Sequence, residues 1–323
     1  MASRRNLTIS VLGCGRWGTF IAWYLDKIGH KVLLWGRPES KNLKRLKEER
    51  TNEFLTLPQS IELGTDLHKA IRSDIIVISI SAQNLRALMH NLREEDLNGK
   101  TIVLCMKGIE ESTGYRLTEV VKEIKPDLNV AIWVGPGHVE DFTKGIPNCM
   151  VIDSENEDIK KFLIDEFTSE LIRFYYGTDL IGNEIGAASK NVIGIAAGML
   201  DGLNYTSLKG ALMSRGTREI SNLIKAMGGN EITVYGLCHL GDYQATLFSS
   251  HSHNRLFGEM FVTDKKYDKL AEGVSTTKAL VKLGHQYKVD LPICNSIDKI
   301  INHSKDPVSE LYGLFMREIK NEF

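Results

Sequence analysis

The chain has 323 residues, 42% hydrophobic and 25% charged, with a formal net charge of −1. That composition belongs to a globular protein long enough for two hydrophobic cores. A near-neutral balance excludes the basic face of a nucleic-acid binder. No run approaches the ~18 consecutive apolar residues of a membrane-spanning helix, so neither nucleic acid nor membrane insertion is expected.

The opening residues, MASRRN, lead directly into a strand-like run, without the apolar segment and cleavage site of a signal peptide. Short β-rich runs follow at LTISVLG (7–13), KVLLW (31–35), IIVISI (75–80), TIVLCM (101–106) and NVAIWVG (129–135). Each has the length of a strand buried on both faces. Helical periods lie between them at 16–28, 39–50, 83–92 and 114–124, and this alternation implies a parallel sheet wrapped by helices. MVID (150–153) and LIRFYY (171–176) flank an acidic helix and are expected to extend the sheet. The basic run 41–50 is broken by glutamates and reads as a solvated helix face.

After Tyr176 the pattern changes to long helical periods, punctuated by Gly228–Gly229 and by Pro292. The expected fold is therefore α/β. A Rossmann-like, doubly wound sheet for dinucleotide binding occupies residues 1–178, and an all-helical substrate-binding and catalytic domain occupies 179–323. The five cysteines, Cys14, Cys105, Cys149, Cys238 and Cys294, are scattered and form no CxxC pair. They read as reduced thiols in a cytoplasmic protein.

Residues 13–18 read Gly13-Cys14-Gly15-Arg16-Trp17-Gly18, a GxGxxG that leaves the first strand and opens the first helix. The first glycine permits the turn, the second lets a pyrophosphate approach the backbone, and the third lets helix and strand pack closely. The second strand ends in Trp35-Gly36-Arg37, where an NAD-selective site would carry an acid. Arg37 can meet a 2′-phosphate or stack on adenine, so the cofactor is read as NAD or NADP.

Seven stretches are similar to the NAD(P)-dependent glycerol-3-phosphate dehydrogenase family, in that family's order. They are GCGRWGTF (13–20), CMKGIE (105–110), VGPGHVEDF (134–142), GNEIGAASKNVIGIAAGMLDGL (182–203), SRGTREISNLIKAMGG (214–229), LGDYQATLFSSHSHNRLFGE (240–259) and AEGVSTTKAL (271–280). The resemblance implies a cytosolic oxidoreductase of glycerophospholipid metabolism that interconverts dihydroxyacetone phosphate and sn-glycerol 3-phosphate. A homodimer is allowed. By motif, Lys190 matches the catalytic lysine, Lys107 the lysine of Lys-Gly, Asp242 the aspartate of Gly-Asp, and Thr246 the threonine four places on. Asn254 matches the asparagine of the Arg-Asn substrate motif. The same resemblance brings Lys107, Arg255, Leu270 and Glu272 to the cofactor.

Two positions depart from the family pattern on the substrate side. His253 stands where the family has a phosphate-binding arginine, with Arg255 two places on to supply charge. Gly135-Pro136-Gly137 stands where it has Gly-Pro-Ser, so a substrate-side hydroxyl is missing. A second reading therefore stays open, a related dehydrogenase acting on another small phosphorylated or acidic ketone. A third is a dinucleotide-binding protein without catalysis.

Lys190 lies in an apolar helical run, and desolvation there lowers a lysine pKa towards neutrality, which suits a proton donor to a ketone oxygen. Lys107 would lower it further, and Asp242 would orient or partly neutralise the pair. Gly194, Ala196, Ala197 and Gly198 read as small residues that admit a neighbouring helix. His239, Asp242, His251 and His253 are metal-ligating types, but their spacing matches no helix or ribbon site and hydride transfer aided by a lysine needs no metal. No metal is expected.

Overall fold

The computed structural model describes residues 6–319 and 321–322. The reading of the opening residues as free of a signal segment falls largely on residues 1–5, outside the described residues. The chain divides into two compact units, one of residues Met1–Met106 and Arg116–Leu180, the other of Lys107–Tyr115 and Ile181–Phe323.

In the first unit the strands are β1 (Thr8–Leu12), β2 (Lys31–Trp35), β3 (Glu62–Gly64), β4 (Ile75–Ile78), β5 (Thr101–Leu104), β6 (Asn129–Val134), β7 (Asn148–Ser154) and β8 (Ile172–Tyr176). They form one eight-stranded sheet in the order β3-β2-β1-β4-β5-β6-β7-β8. Its helices are α1 (Arg16–Lys27), α2 (Lys41–Glu49), α3 (Leu67–Ala70), α4 (Leu85–Asn91), α5 (Leu117–Ile124), α6 (Val139–Thr143) and α7 (Glu157–Phe167). Every residue of β4 and β5 is buried, as Ile- and Val-rich strands covered on both faces require. In the basic helix α2 only Leu43 and Leu46 are buried, and the charged residues face solvent.

Three short elements went unread in the sequence. β3, α3 and α6 have three, four and five residues, too few for a period to show. The sheet is also not wholly parallel, because β7 runs antiparallel to β6. The link between them holds only the five-residue α6, too little helix for the usual crossover between parallel strands.

The second unit contains α8 (Leu180–Gly202), α9 (Lys209–Ala226), α10 (His253–Val262), α11 (Glu272–Tyr287), α12 (Pro292–His303) and α13 (Pro307–Phe315). Among the described residues no strand follows β8. Each residue of α8 from Gly182 to Leu200 is buried, so this helix is the unit's axis rather than a surface helix. Its glycines admit α10 at backbone distance. A Cβ on Gly198 would stand 1.8 Å from the Arg255 carbonyl oxygen, and one on Gly258 would stand 2.1 Å from that of Ile195.

A single boundary at residue 178 does not describe this partition. Lys107–Tyr115 leaves the end of β5 and joins the helical unit. Ile109 is the reason, since it is fully buried in the helical core with Ile193, Leu280 and Ile297. That excursion places Lys107 on the helical unit.

Candidate active site

In the first unit the glycine loop shows three different reasons for glycine. Gly13 has φ +120°, and a Cβ there would stand 2.1 Å from the Ser79 carbonyl oxygen. A Cβ on Gly18 would stand 1.9 Å from the Gly13 carbonyl oxygen, so helix and turn are in backbone contact. A Cβ on Gly15 meets no atom within 4 Å. Gly15 is also the N-cap of the 12-residue α1, whose first-turn N–H groups favour an anion. This open cradle fits a dinucleotide pyrophosphate.

Arg16 is ion-paired with Glu140 and lies over the Phe54 ring. Trp17 packs on Phe20 and Phe142. Both therefore also build the loop's walls. Arg37 lies beyond β2, largely exposed and 3.2 Å from Glu39. Gly135 has φ +131°. At Gly137 a Cβ would lie 2.4 Å from the Phe142 ring, so a side chain at this position would displace the aromatic cluster.

In the second unit four expected residues converge. Lys190 Nζ lies 2.5 Å from Asp242 Oδ2 and donates to Thr246 Oγ1 at 2.8 Å. Lys107 Nζ meets the same carboxylate oxygen at 2.6 Å. The Asp242 side chain is 1% exposed, that of Lys190 9% and that of Lys107 21%. Burial drives the Lys190 pKa down to about 7; the Asp242 carboxylate opposes that fall and the Lys107 ammonium adds to it.

Local backbone structure sets this geometry. Asp242 closes a 3₁₀ turn, Leu240–Asp242, and Thr246 sits in a π-helical stretch, Gln244–Phe248. The Thr246 hydroxyl donates to the Asp242 carbonyl at 2.8 Å, which aims its lone pairs at Lys190. Asn191, a residue the sequence reading left without a role of its own, donates from Nδ2 to the Lys107 carbonyl at 2.9 Å and ties that lysine to α8. Its signal was the Lys-Asn pair itself.

The expected phosphate residues open α10, beside the next turn of α8 at Gly194. A Cβ on Gly194 would stand 2.8 Å from Thr246 Cγ2 and 3.5 Å from Asn254 Cβ. Asn254 Oδ1 accepts from the Gly273 N–H at 2.9 Å, so its Nδ2 group is the part that can donate to a ligand. His253 Nδ1 is hydrogen-bonded to the Tyr267 hydroxyl. Arg255 does not stand as an uncompensated charge, because Nε lies 2.6 Å from Asp201 and Nη2 lies 3.1 Å from Glu259. Glu272 opens α11 and Leu270, just before it, is 61% exposed.

His239, considered in the sequence only as a metal-ligating type and set aside, has a structural place of its own. Its ring is fully buried and bonded through both nitrogens, to the Gly186 carbonyl and the Tyr243 hydroxyl. Burial lowers its pKa to about 4. Among the described residues no three His, Cys, Asp or Glu side chains converge on a metal-sized site.

Known proteins resemble the chain over both units. Residues 8–160 match the family model for the N-terminus of NAD-dependent glycerol-3-phosphate dehydrogenase, and residues 179–311 match that for its C-terminus. A glycerol-3-phosphate dehydrogenase (NAD(P)+) of Fusobacterium nucleatum is 34% identical, over 97% of this chain and 98% of that protein. The enzyme of the same name from Thermoanaerobacter sp. is 35% identical, over 98% of this chain and 99% of its own. The crystal structure of glycerol-3-phosphate dehydrogenase from Coxiella burnetii superposes with a TM-score of 0.89 at 26% identity, covering 97% of this chain and 99% of that one. With both units matched in order and relatives aligned over nearly their whole length, the chain belongs to the NAD-dependent glycerol-3-phosphate dehydrogenase family.

Proposed function

We propose that the chain catalyses the reversible reduction of dihydroxyacetone phosphate to sn-glycerol 3-phosphate with NADH or NADPH, and that Lys190 gives and takes the proton. The observation that carries the reading is the buried Lys190 ammonium, which shares one oxygen of Asp242 with Lys107.

The bound nicotinamide supplies the hydride. As the carbonyl oxygen gains negative charge, an N–H bond of Lys190 breaks and the O–H bond forms, leaving a neutral amine beside Thr246 and Asp242. Lys107 keeps its charge and stabilises the developing alkoxide. Asp242 holds both nitrogens in place. In the reverse direction the neutral amine removes the hydroxyl proton, and a pKa of about 7 keeps both forms present near neutrality. His253, Asn254 and Arg255 are proposed to receive the substrate phosphate. Glu272 and Leu270 are proposed to contact the cofactor, with Arg37 reading its 2′ position.

A cytoplasmic location is part of this reading and is supported by five free thiols. Among the described residues no helix is long and apolar enough to cross a membrane. A role in supplying glycerol 3-phosphate for phospholipid synthesis and assembly as a homodimer complete the proposal.

The test is Lys190→Ala assayed with dihydroxyacetone phosphate and each nicotinamide cofactor. Turnover should fall by ~10²-fold or more, as for loss of a positioned general acid. Cofactor affinity measured by calorimetry should stay near wild type. Near-wild-type turnover in the variant would assign the proton to another group.

A further inference from the structure

The buried pair His239 and Tyr243 brackets Asp242 and takes no part in the proposed proton transfer. Its hydrogen bonds have a fixed direction. Nδ1 of His239 lies 2.8 Å from the Gly186 carbonyl oxygen, which can only accept, so Nδ1 carries the proton. The ring is neutral in the working range, since burial holds its pKa near 4. Nε2 is therefore an acceptor, and the Tyr243 hydroxyl, 2.6 Å away, must donate to it. Thr217 Oγ1 in turn donates to the Tyr243 oxygen at 3.4 Å.

The two ends of this chain of bonds fall on the reacting groups. Gly186 lies one helical turn before Lys190 on α8, and its carbonyl is the one that the Lys190 backbone N–H meets in an α-helix. Ser189, next to Lys190, also reaches Nδ1 at 3.3 Å. On the other side, the Asp242 N–H donates to the His239 carbonyl at 3.0 Å, and Tyr243 follows Asp242 directly. Gly186 makes the approach feasible, since a Cβ there would stand 2.8 Å from Cys238 Sγ and 3.3 Å from His239 Cβ.

We propose that His239 and Tyr243 are positioning residues for the reaction, clamping the turn that carries Asp242 onto the helical turn that carries Lys190. The inference rests on the reading of Lys190 as proton donor. Asp242 sits 2.5 Å from Lys190 Nζ, where a small shift of its turn changes the interaction strongly. The charged or titratable groups facing Lys190 are Asp242, Lys107 and the neutral His239. Of these only Asp242 holds the ammonium protonated against burial. Loosening the clamp weakens that hold.

Tyr243→Phe removes one hydroxyl and keeps the packing. It is expected to lower kcat about tenfold, as for a slight misplacement of catalytic groups, with KM and calorimetric NADH affinity little changed. The Lys190 titration, followed by lysine side-chain NMR, should move down by about one pH unit as the carboxylate's support weakens. The high-pH fall in kcat for ketone reduction should move with it. His239→Asn breaks the same link from the other side, since the shorter amide can donate to Gly186 but places no atom where Nε2 accepts from Tyr243, and should give the same shift if Tyr243→Phe does not fold. The double variant should be no worse than His239→Asn alone. An unmoved Lys190 titration, or a loss of activity matched only by a lower thermal midpoint, would overturn the inference. A wild-type kcat profile that does not follow the Lys190 titration would instead overturn the reading of Lys190 as proton donor.

Discussion

Gly15 of the first unit and Gly198 of the second are both helix-associated glycines in glycine-rich stretches, and they lack a side chain for opposite reasons. A Cβ on Gly15 would meet nothing within 4 Å, whereas one on Gly198 would fall 1.8 Å from a backbone oxygen of α10. The space beside the first glycine is open, and that beside the second is filled by the chain. The same contrast separates the units' chemistry. The glycine loop presents backbone N–H groups at a helix start, while the helical unit brings charged side chains together around one buried carboxylate.

The matched pair Gly198→Val and Gly15→Val breaks this comparison most directly. Gly198→Val should prevent the second unit from folding, because backbone overlap at α10 cannot be relieved by a rotamer change; loss of helical circular dichroism and of the unfolding transition would report it. Gly15→Val should keep the wild-type circular dichroism and lower NADH and NADPH affinity by roughly a hundredfold or more, since the side chain occupies the anion's space. A Gly15→Val protein with intact affinity would mean that the open cradle holds no pyrophosphate.

Arg255→Ala probes the phosphate side at smaller amplitude. A charge-assisted bond to phosphate contributes ~1.5–3 kcal/mol, so KM for dihydroxyacetone phosphate should rise roughly ten- to a hundredfold. Asp201, which also binds Lys209, keeps a partner in this variant. An unaltered KM would assign the phosphate to His253 and Asn254 alone.

Arg37→Asp should weaken NADPH more than NADH, by a factor of about ten or less given the exposure of the site. Equal effects on both cofactors would mean that Arg37 does not read the 2′ position.

Glu219 offers a purely physical effect, read in stability rather than in activity. Its carboxylate accepts from the Ile293 and Cys294 N–H groups at the start of α12, and burial lifts its pKa from 4.5 to about 7. Between those values the folded state keeps a proton that the unfolded state releases, so this group's contribution to stability is present at low pH and declines as pH rises through that window. Thermal midpoints measured across it should fall with pH by this term, and Glu219→Gln should flatten that dependence. An unchanged slope in the variant would show that Glu219 is ionised throughout.

Much of the first unit was legible because its signals are local. Strands such as β4 and β5 are unbroken apolar runs, and GxGxxG stands where a strand meets a helix. The antiparallel turn into β7 was not, because it depends on the length of a connection rather than on any residue in the strand. The small-residue run of α8 was legible as packing. His239 was not legible as a buried, doubly bonded ring, since nothing near it in sequence shows that Gly186 and Tyr243 enclose it.

What the amino-acid sequence determined by itself was the alternation that builds the sheet, the helical second half, the glycine loop between the first strand and helix, and the unusual placing of a lysine at 190. Each is written in residues within a few positions of one another, where periodicity and backbone preference act. Only the tertiary structure decided that residues 107–115 join the helical unit and that Arg255 is already bound by two carboxylates. It alone decided that one oxygen of Asp242 holds two ammonium groups, one of them 135 positions away. Contacts across such separations follow from how buried surfaces match in the folded core, and a charge, its partner and its loss of water can be known only together.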